Sequence, residues 1–161
     1  AIYEGTTGIQ ALDLIGRKLA SEKGVTAAAV LAEVKATVAK LAAAGSDFAS
    51  LKANLEAGIE QAEACVNFVL ETFGTQPRLP AAGSVPFLKL MGILLGGWQL
   101  ARGALIAQAK LGEDGADTDF YTAKIVTARF YGEHLLPQIS GLAVAILGGA
   151  ASVLALDEAQ F

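Results

Sequence analysis

The sequence predicts an all-α protein, an up-and-down four-helix bundle preceded by one shorter helix. Three observations carry that prediction. Hydrophobic residues make up 53% of the 161 residues but aromatics only 7%, so alanine and small aliphatic side chains supply the apolar content. Alanine is the best helix former, and the β-branched residues that favour sheets are comparatively sparse. Apolar residues recur at spacings of three and four along most of the chain, and Gly24, Gly45, Gly74, Pro77, Pro80 and Gly83 punctuate those stretches.

Taken in order, the first helix places Ile9, Leu12, Ile15 and Leu19 on one stripe, with Thr6 or Thr7 as N-cap and Gly24 as its stop. The second spans residues 26–44 through Val30, Val34, Val38 and Leu41, and ends at Gly45. Ser46 and Asp47 then offer a fresh N-cap. The third helix carries Phe48, Leu51, Leu55, Ile59, Ala62, Val66, Val69 and Phe73 down one face, with Glu56, Glu60, Glu63 and Glu71 mainly off it and Gly74 closing it. Residues 75–84 hold Pro77, Pro80 and Gly83 and read as the longest loop.

Ser84 followed by Pro86 opens a fourth helix that runs to about Leu111. From Val85 to Ala101 it is apolar nearly all round, broken mainly by Lys89 and Gln99, so it is expected to be buried on most sides, by its own bundle or by a partner surface. Gly92, Gly96 and Gly97 admit a close backbone approach. Residues 112–117 form an acidic loop, with Asp117 or Thr118 as the next N-cap. The last segment, residues 119–156, keeps one stripe through Tyr121, Ile125, Ala128, Tyr131, Leu135, Ile139, Leu142, Ile146, Gly149, Val153 and Leu156. Pro137 is expected to kink this helix without necessarily ending it. Residues 139–156 carry no charge, at the lower edge of transmembrane length. Serine, glycine and alanine dilute that run, and its far side lacks basic flanks and an aromatic belt, so a buried bundle helix is the better reading than a membrane span.

Composition excludes several functions. Charged residues are 17% of the chain, against roughly 25% in an average soluble domain, which points to extra surface hidden against something else. A net charge of −4 argues against non-specific nucleic-acid binding. One cysteine, Cys65, excludes an internal disulfide and fits a reducing, cytoplasmic compartment. A single histidine, His134, leaves almost no material for a zinc site, and no metal site is expected. No signal peptide is evident, and Ala1 opens inside what reads as a functional motif, as a cut chain does.

That motif is Ile2, Tyr3, Glu4, Gly5, Thr6, Thr7, Gly8, Ile9 and Gln10. A short turn feeding a helix N-terminus presents backbone N–H groups and two threonine hydroxyls, a setting that suits an anionic or phosphate-bearing ligand. A carboxylate one residue before a glycine on such a turn is a plausible general base, although Glu-Gly-Thr ahead of a helix is also an ordinary cap. Ile-Tyr-Glu-Gly-Thr followed by Ile-Gln, with Ala11-Leu12-Asp13-Leu14-Ile15-Gly16-Arg17-Lys18-Leu19 after it, resembles the C-terminal signature of acyl-CoA dehydrogenases.

The resemblance implies that Glu4 removes the α-proton of an acyl-CoA while a hydride passes from the β-carbon to FAD. It further implies that the Glu4 N–H polarises the thioester carbonyl, that Thr6 and Gly8 lie against the flavin, and that Tyr3 and Gly5 adjoin the substrate. An electron-transfer flavoprotein is the implied electron acceptor. One departure is Ala11, where an arginine usually follows the glutamine. Another is length, because many members stop soon after this helix. Residues 84–98, 129–137 and 154–161 resemble the C-terminal extension of a larger subgroup, the methylmercaptopropionyl-CoA dehydrogenase-like proteins. On this reading residues 1–24 end the catalytic helical domain and residues 25–161 form the extension.

Other candidates read more plainly. His134 has no nucleophile motif beside it, Cys65 behaves as a small hydrophobe, and Trp98 is a core or interface anchor. Residues 113–119 lack the ligand spacing of a calcium loop. The expected parent is a homo-oligomeric dehydrogenase, and the chain alone is expected to be inactive and to retain no FAD, since one side of a flavin site is all it carries. The expected partners are the rest of the same protein or a second subunit, with no membrane and no nucleic acid. A non-catalytic assembly module and a lipid-binding bundle are the competing readings.

Overall fold

The alanine-rich amphipathic stretches become helices almost where their periodicity places them. The computed structural model describes residues 5–160, and these form helices and connections without a strand. In chain order they are α1 Gly5–Asp13, a π-helix Leu14–Ala20, α2 Val25–Ala43, a 3₁₀ turn Ser46–Phe48 and α3 Ala49–Thr72. Then come α4 Arg78–Ala82, α5 Ser84–Lys110, α6 Thr118–His134, α7 Gln138–Gly148, α8 Ala150–Val153 and a last 3₁₀ turn Glu158–Gln160. Contacts divide the chain into two compact units, one of residues up to 30, 61–91 and 140 onward, the other of residues 31–60 and 92–139.

The unit of residues 31–60 and 92–139 shows the up-and-down order directly. Trp98 Nε1–H donates to Thr37 Oγ1 at 2.8 Å and Gln108 Nε2–H donates to Ala44 O at 3.0 Å, so α2 and α5 run the same way. The Tyr131 hydroxyl donates to Ile93 O at 3.1 Å, whereas Phe120 at the other end of α6 shares a groove with Gly103 and Ile106, so α5 and α6 run oppositely. Asn54 Nδ2–H donates to Gly132 O at 3.0 Å and Ser50 Oγ–H to Glu133 Oε1 at 3.0 Å, joining α3 to α6. Leu51, Leu55, Leu94, Leu136 and Ile139 are fully buried between these helices, each worth about 1.5–3 kcal/mol of transfer free energy. A Cβ on Gly96 would stand 2.7 Å from the Tyr131 hydroxyl and one on Gly97 2.7 Å from Leu136 Cδ2, so side chains make the close approach where backbone was expected, and a Cβ on Gly92 would meet nothing within 4 Å. The Asp117 carboxylate accepts from Phe120 N at 3.0 Å and caps α6 as its sequence promised.

In the other unit, Ala11, Ile15 and Leu19 are buried, as are Cys65, Val66 and Val69 of α3, Phe87 and Leu90 of α5, and Ala143 and Ile146 of α7. The expected first stripe is corrected here: Ile9 is 68% exposed and Leu12 50% exposed. The helix does not keep one α-helical phase, because Ser21 N–H reaches Gly16 O at 3.1 Å and Gly24 N–H reaches Leu19 O at 2.9 Å, both i to i+5 bonds. It starts at Gly5, so Thr6 and Thr7 lie inside its first turn and not ahead of it. Gly24 does stop it, at φ +76°, with Leu70 Cδ1 2.9 Å from where a Cβ would stand. Gly24→Ala therefore meets both a forbidden backbone region and a filled space, and is expected to destabilise the chain by about 1–3 kcal/mol in urea unfolding. Lys23→Gly, which relieves a non-glycine residue at φ 52°, is the control and is expected to cost nothing.

Three further expectations change. The stretch of residues 75–84 contains α4, which packs against α8. Pro77 caps it and Pro80 sits in its first turn, where a missing N–H costs no intrahelical bond. Pro137 ends the last helix instead of kinking it. Leu135 and Leu136 N–H both turn to Tyr131 O, at 2.9 and 3.2 Å, and α7 restarts at Gln138. A second break at Gly149 leaves Val153 and Leu156 exposed, so the uncharged run is two helices of 11 and 4 residues. Finally, α5 buries one face, through Phe87, Leu90, Leu94, Ala101 and Ala104, and leaves Val85 and Ile106 45% and 62% exposed. It is long and apolar enough to cross a bilayer, with a mean hydropathy of 1.4 over its most apolar window. Its regular buried stripe is nonetheless that of a core helix.

Cys65 lies wholly inside α3's buried face, and burial pushes its thiol up to about 11 from 9.0. Two outcomes are expected. Iodoacetamide at pH 8 leaves Cys65 unmodified until the chain is unfolded. Because the folded state holds this proton more tightly than the unfolded one, stability falls as pH rises from about 9 towards about 11; a stability that stays flat over that window contradicts the assignment.

Candidate functional site

The motif leads straight into α1. Tyr3 and Glu4 lie outside the described residues, and Gly5 is the first residue of the helix. Thr6 and Thr7 are exposed and Gly8 is half-buried, all within the first turn. The amino end of an α-helix is the positive end of its dipole, and Gly5, Thr6 and Thr7 stand there. A Cβ built on Gly8 meets no atom within 4 Å, and Ile9 and Gln10 beside it are exposed. The structure thus brings Thr6, Gly8 and Gln10 together on the first turns of one helix, with open space over Gly8. A flat, partly anionic group fits such a face on shape and on charge, but the residues present contact it from one side only.

Behind the motif the helix is fixed by charge and packing. Arg17 Nε–H donates to Asp13 Oδ1 at 2.5 Å and Lys18 Nζ stands 3.8 Å from Oδ2. The Arg17 hydrogen bond holds the Asp13 carboxyl below the usual carboxylate range. This exposed pair links α1 to the π-helix across one turn. Residues 14–20 were not singled out from the sequence, since their apolar spacing is compatible with an ordinary α-helix.

The other candidates sort themselves by contact. His134 is exposed with its ring 4.5 Å from Phe130, and its carbonyl accepts from Gln138 Nε2 at 3.1 Å. Trp98 ties α5 to α2 through Thr37, with the Arg102 guanidinium 5.2 Å from its ring centre. In the loop 111–117, Glu113 pairs with Lys110 at 2.8 Å and Asp117 caps α6, so both carboxylates have structural work. Among the described residues no group of three or more His, Cys, Asp or Glu side chains converges.

A family model described as acetyl-CoA dehydrogenase C-terminal like matches residues 30–157. The chain is 40% identical over 139 residues to 3-methylmercaptopropionyl-CoA dehydrogenase of Ruegeria pomeroyi, covering 86% of this chain and 24% of that protein. It is 32% identical over 176 aligned residues to the broad-specificity linear acyl-CoA dehydrogenase FadE5 of Mycobacterium tuberculosis, covering all of this chain and 28% of the relative. A butyryl-CoA dehydrogenase of Syntrophomonas wolfei is 30% identical over 173 aligned residues, again across the whole chain and 27% of the relative. The chain spans about a quarter of the length of these curated relatives.

Proposed function

This chain belongs to the acetyl-CoA dehydrogenase C-terminal-like family, and from that premise we propose that it is the carboxyl-terminal part of an FAD-dependent acyl-CoA dehydrogenase. The observation that carries the reading is the sequence Glu4-Gly5-Thr6, whose Gly5 and Thr6 open α1, in a chain whose relatives are named acyl-CoA dehydrogenases. The reaction is α,β-dehydrogenation of an acyl-CoA thioester. The Glu4 carboxylate takes the α-proton, and the N–H groups at the start of α1 stabilise negative charge developing on the thioester oxygen. Tyr3 and Gly5 would adjoin the substrate, and Thr6 and Gly8 would help to hold the flavin. When bound, FAD supplies the hydride acceptor. Electrons then leave to an electron-transfer flavoprotein, and the enzyme works in the cytoplasm as a homo-oligomer. Exposed Ile9, Leu12, Val144 and Val153 support burial of this surface by the rest of the protein or a second copy.

One observation favours a second reading. The family match begins at residue 30, after the motif, as it would if residues 25–161 were an assembly module without a part in catalysis. The test uses the 161-residue chain beside the full-length protein. The chain alone is expected to bind no FAD and to reduce none when given acyl-CoA thioesters, whereas the full-length protein carries FAD. Substrate-dependent reduction of added FAD by the chain alone overturns the one-sided site. A full-length protein cut back to residue 24 that remains oligomeric and active removes the assembly role.

A further inference from the structure

We propose that the groove between α5 and α6 binds a linear alkyl carboxylate, its chain on the apolar floor and its head group at Lys124. The groove lies within the unit of residues 31–60 and 92–139. Leu100, Gly103 and Ile106 of α5 and Phe120, Tyr121 and Lys124 of α6 line it. Gly103 opens it: a Cβ there meets no atom within 4 Å, so α5 puts no side chain into the space at that turn. Ile106 and Phe120 beside it are left exposed to water. The volume, about 330 Å³, falls at the small end of the roughly 300–1,000 Å³ typical of small-molecule sites. α5 runs past it from Gln99 to Ala107, about 12 Å at the helical rise.

The polar groups of the lining choose the sign of the occupant. Thr127 spends its hydroxyl on Ala123 O at 2.8 Å, and Gln99 Oε1 accepts from Arg102 at 3.0 Å. Lys124 is the one charged residue of the lining. Its Nζ stands 5.0 Å from the centre of the Phe120 ring, and no carboxylate among the described residues pairs with it. The groove therefore offers an ammonium group at the rim of an apolar trough. A carboxylate on a linear chain satisfies both features, whereas a cationic head group meets repulsion. Chain burial supplies the affinity. The exposed ion pair adds little to it and selects the head group.

The test is a calorimetric titration of hexanoate, octanoate and decanoate, below their micelle thresholds, into the 161-residue chain and the full-length protein. Decyltrimethylammonium is the cationic counterpart. The chain is expected to bind one decanoate, with affinity rising about twofold per methylene, half the logarithmic effect of complete burial because the groove is open on one side. Gly103→Leu fills the trough with a better helix former and is expected to weaken decanoate at least tenfold. Lys124→Glu is expected to weaken decanoate about fivefold and to bind decyltrimethylammonium instead. The full-length protein is expected to lose one decanoate on Gly103→Leu. Undiminished decanoate binding by the chain with Gly103→Leu overturns the proposal, and so does a head-group preference that Lys124→Glu leaves unchanged. A full-length protein whose decanoate count ignores Gly103→Leu also overturns it, since the rest of the protein then occupies the groove. The emission of Trp98, the single tryptophan of the chain, which lines the neighbouring groove against α2, is read alongside. A shift on decanoate addition that survives Gly103→Leu puts the binding there and overturns the assignment. Should Gly103→Leu fail to fold, Lys124→Glu decides alone.

Discussion

In the full-length protein, Glu4→Gln is expected to bind flavin and thioester as before and to reduce the flavin about a thousandfold more slowly. A positioned general base contributes roughly 10²–10⁴-fold, and glutamine keeps the size of the side chain while removing its basicity. The N–H groups of Gly5 to Gly8 are untouched, so thioester affinity is expected to stay within a few-fold. Stopped-flow absorbance at the flavin band separates the two quantities. A variant with weakened binding and a normal rate makes Glu4 a capping carboxylate and not the base.

The largest effect on stability is expected at Gly132 of α6. A Cβ there would stand 3.0 Å from the Leu51 Cα and 2.8 Å from its Cδ1. The neighbour includes the backbone of Leu51, itself fully buried, so it has little room to yield. Gly132 O also accepts from Asn54, fixing how closely the two helices pass. Gly132→Val forces them apart at that crossing and is expected to cost about 3 kcal/mol, the upper end for overpacking a core. Denaturant unfolding of the chain measures it, with Gly92→Ala, which meets no atom within 4 Å, as the control expected to be neutral or slightly stabilising. Equal stabilities for the two variants contradict the α3–α6 packing.

Long amphipathic elements were legible because period and punctuation agree in them. α2 and α5 fall at Val25–Ala43 and Ser84–Lys110, against expectations of 26–44 and 84–111, and Asp117 caps α6 as read. What stayed hidden depends on residues far away in sequence. The π-helix packs Gly16 against Phe73, far away in sequence, and nothing in residues 14–20 alone distinguishes it from an α-helix. The short α4 was masked by Pro77 and Pro80, which punctuate a loop and a first helical turn equally well. Pro137 gave the right position and the wrong consequence, since the helical bonding is interrupted at residues 135–137 and resumes at Gln138. The candidate site is proposed from the motif Glu4 to Gly8, of which Glu4 lies outside the described residues. A pocket beside it was not legible, because no residue pattern in the sequence outlines its walls.

The most direct measurement of the central claim is a visible spectrum of the full-length protein, titrated anaerobically with a panel of acyl-CoA thioesters. The account predicts a bound flavin whose absorbance bleaches with one or more thioesters, their order ranking the substrates. A full-length protein that purifies without flavin contradicts it and leaves the assembly module in its place.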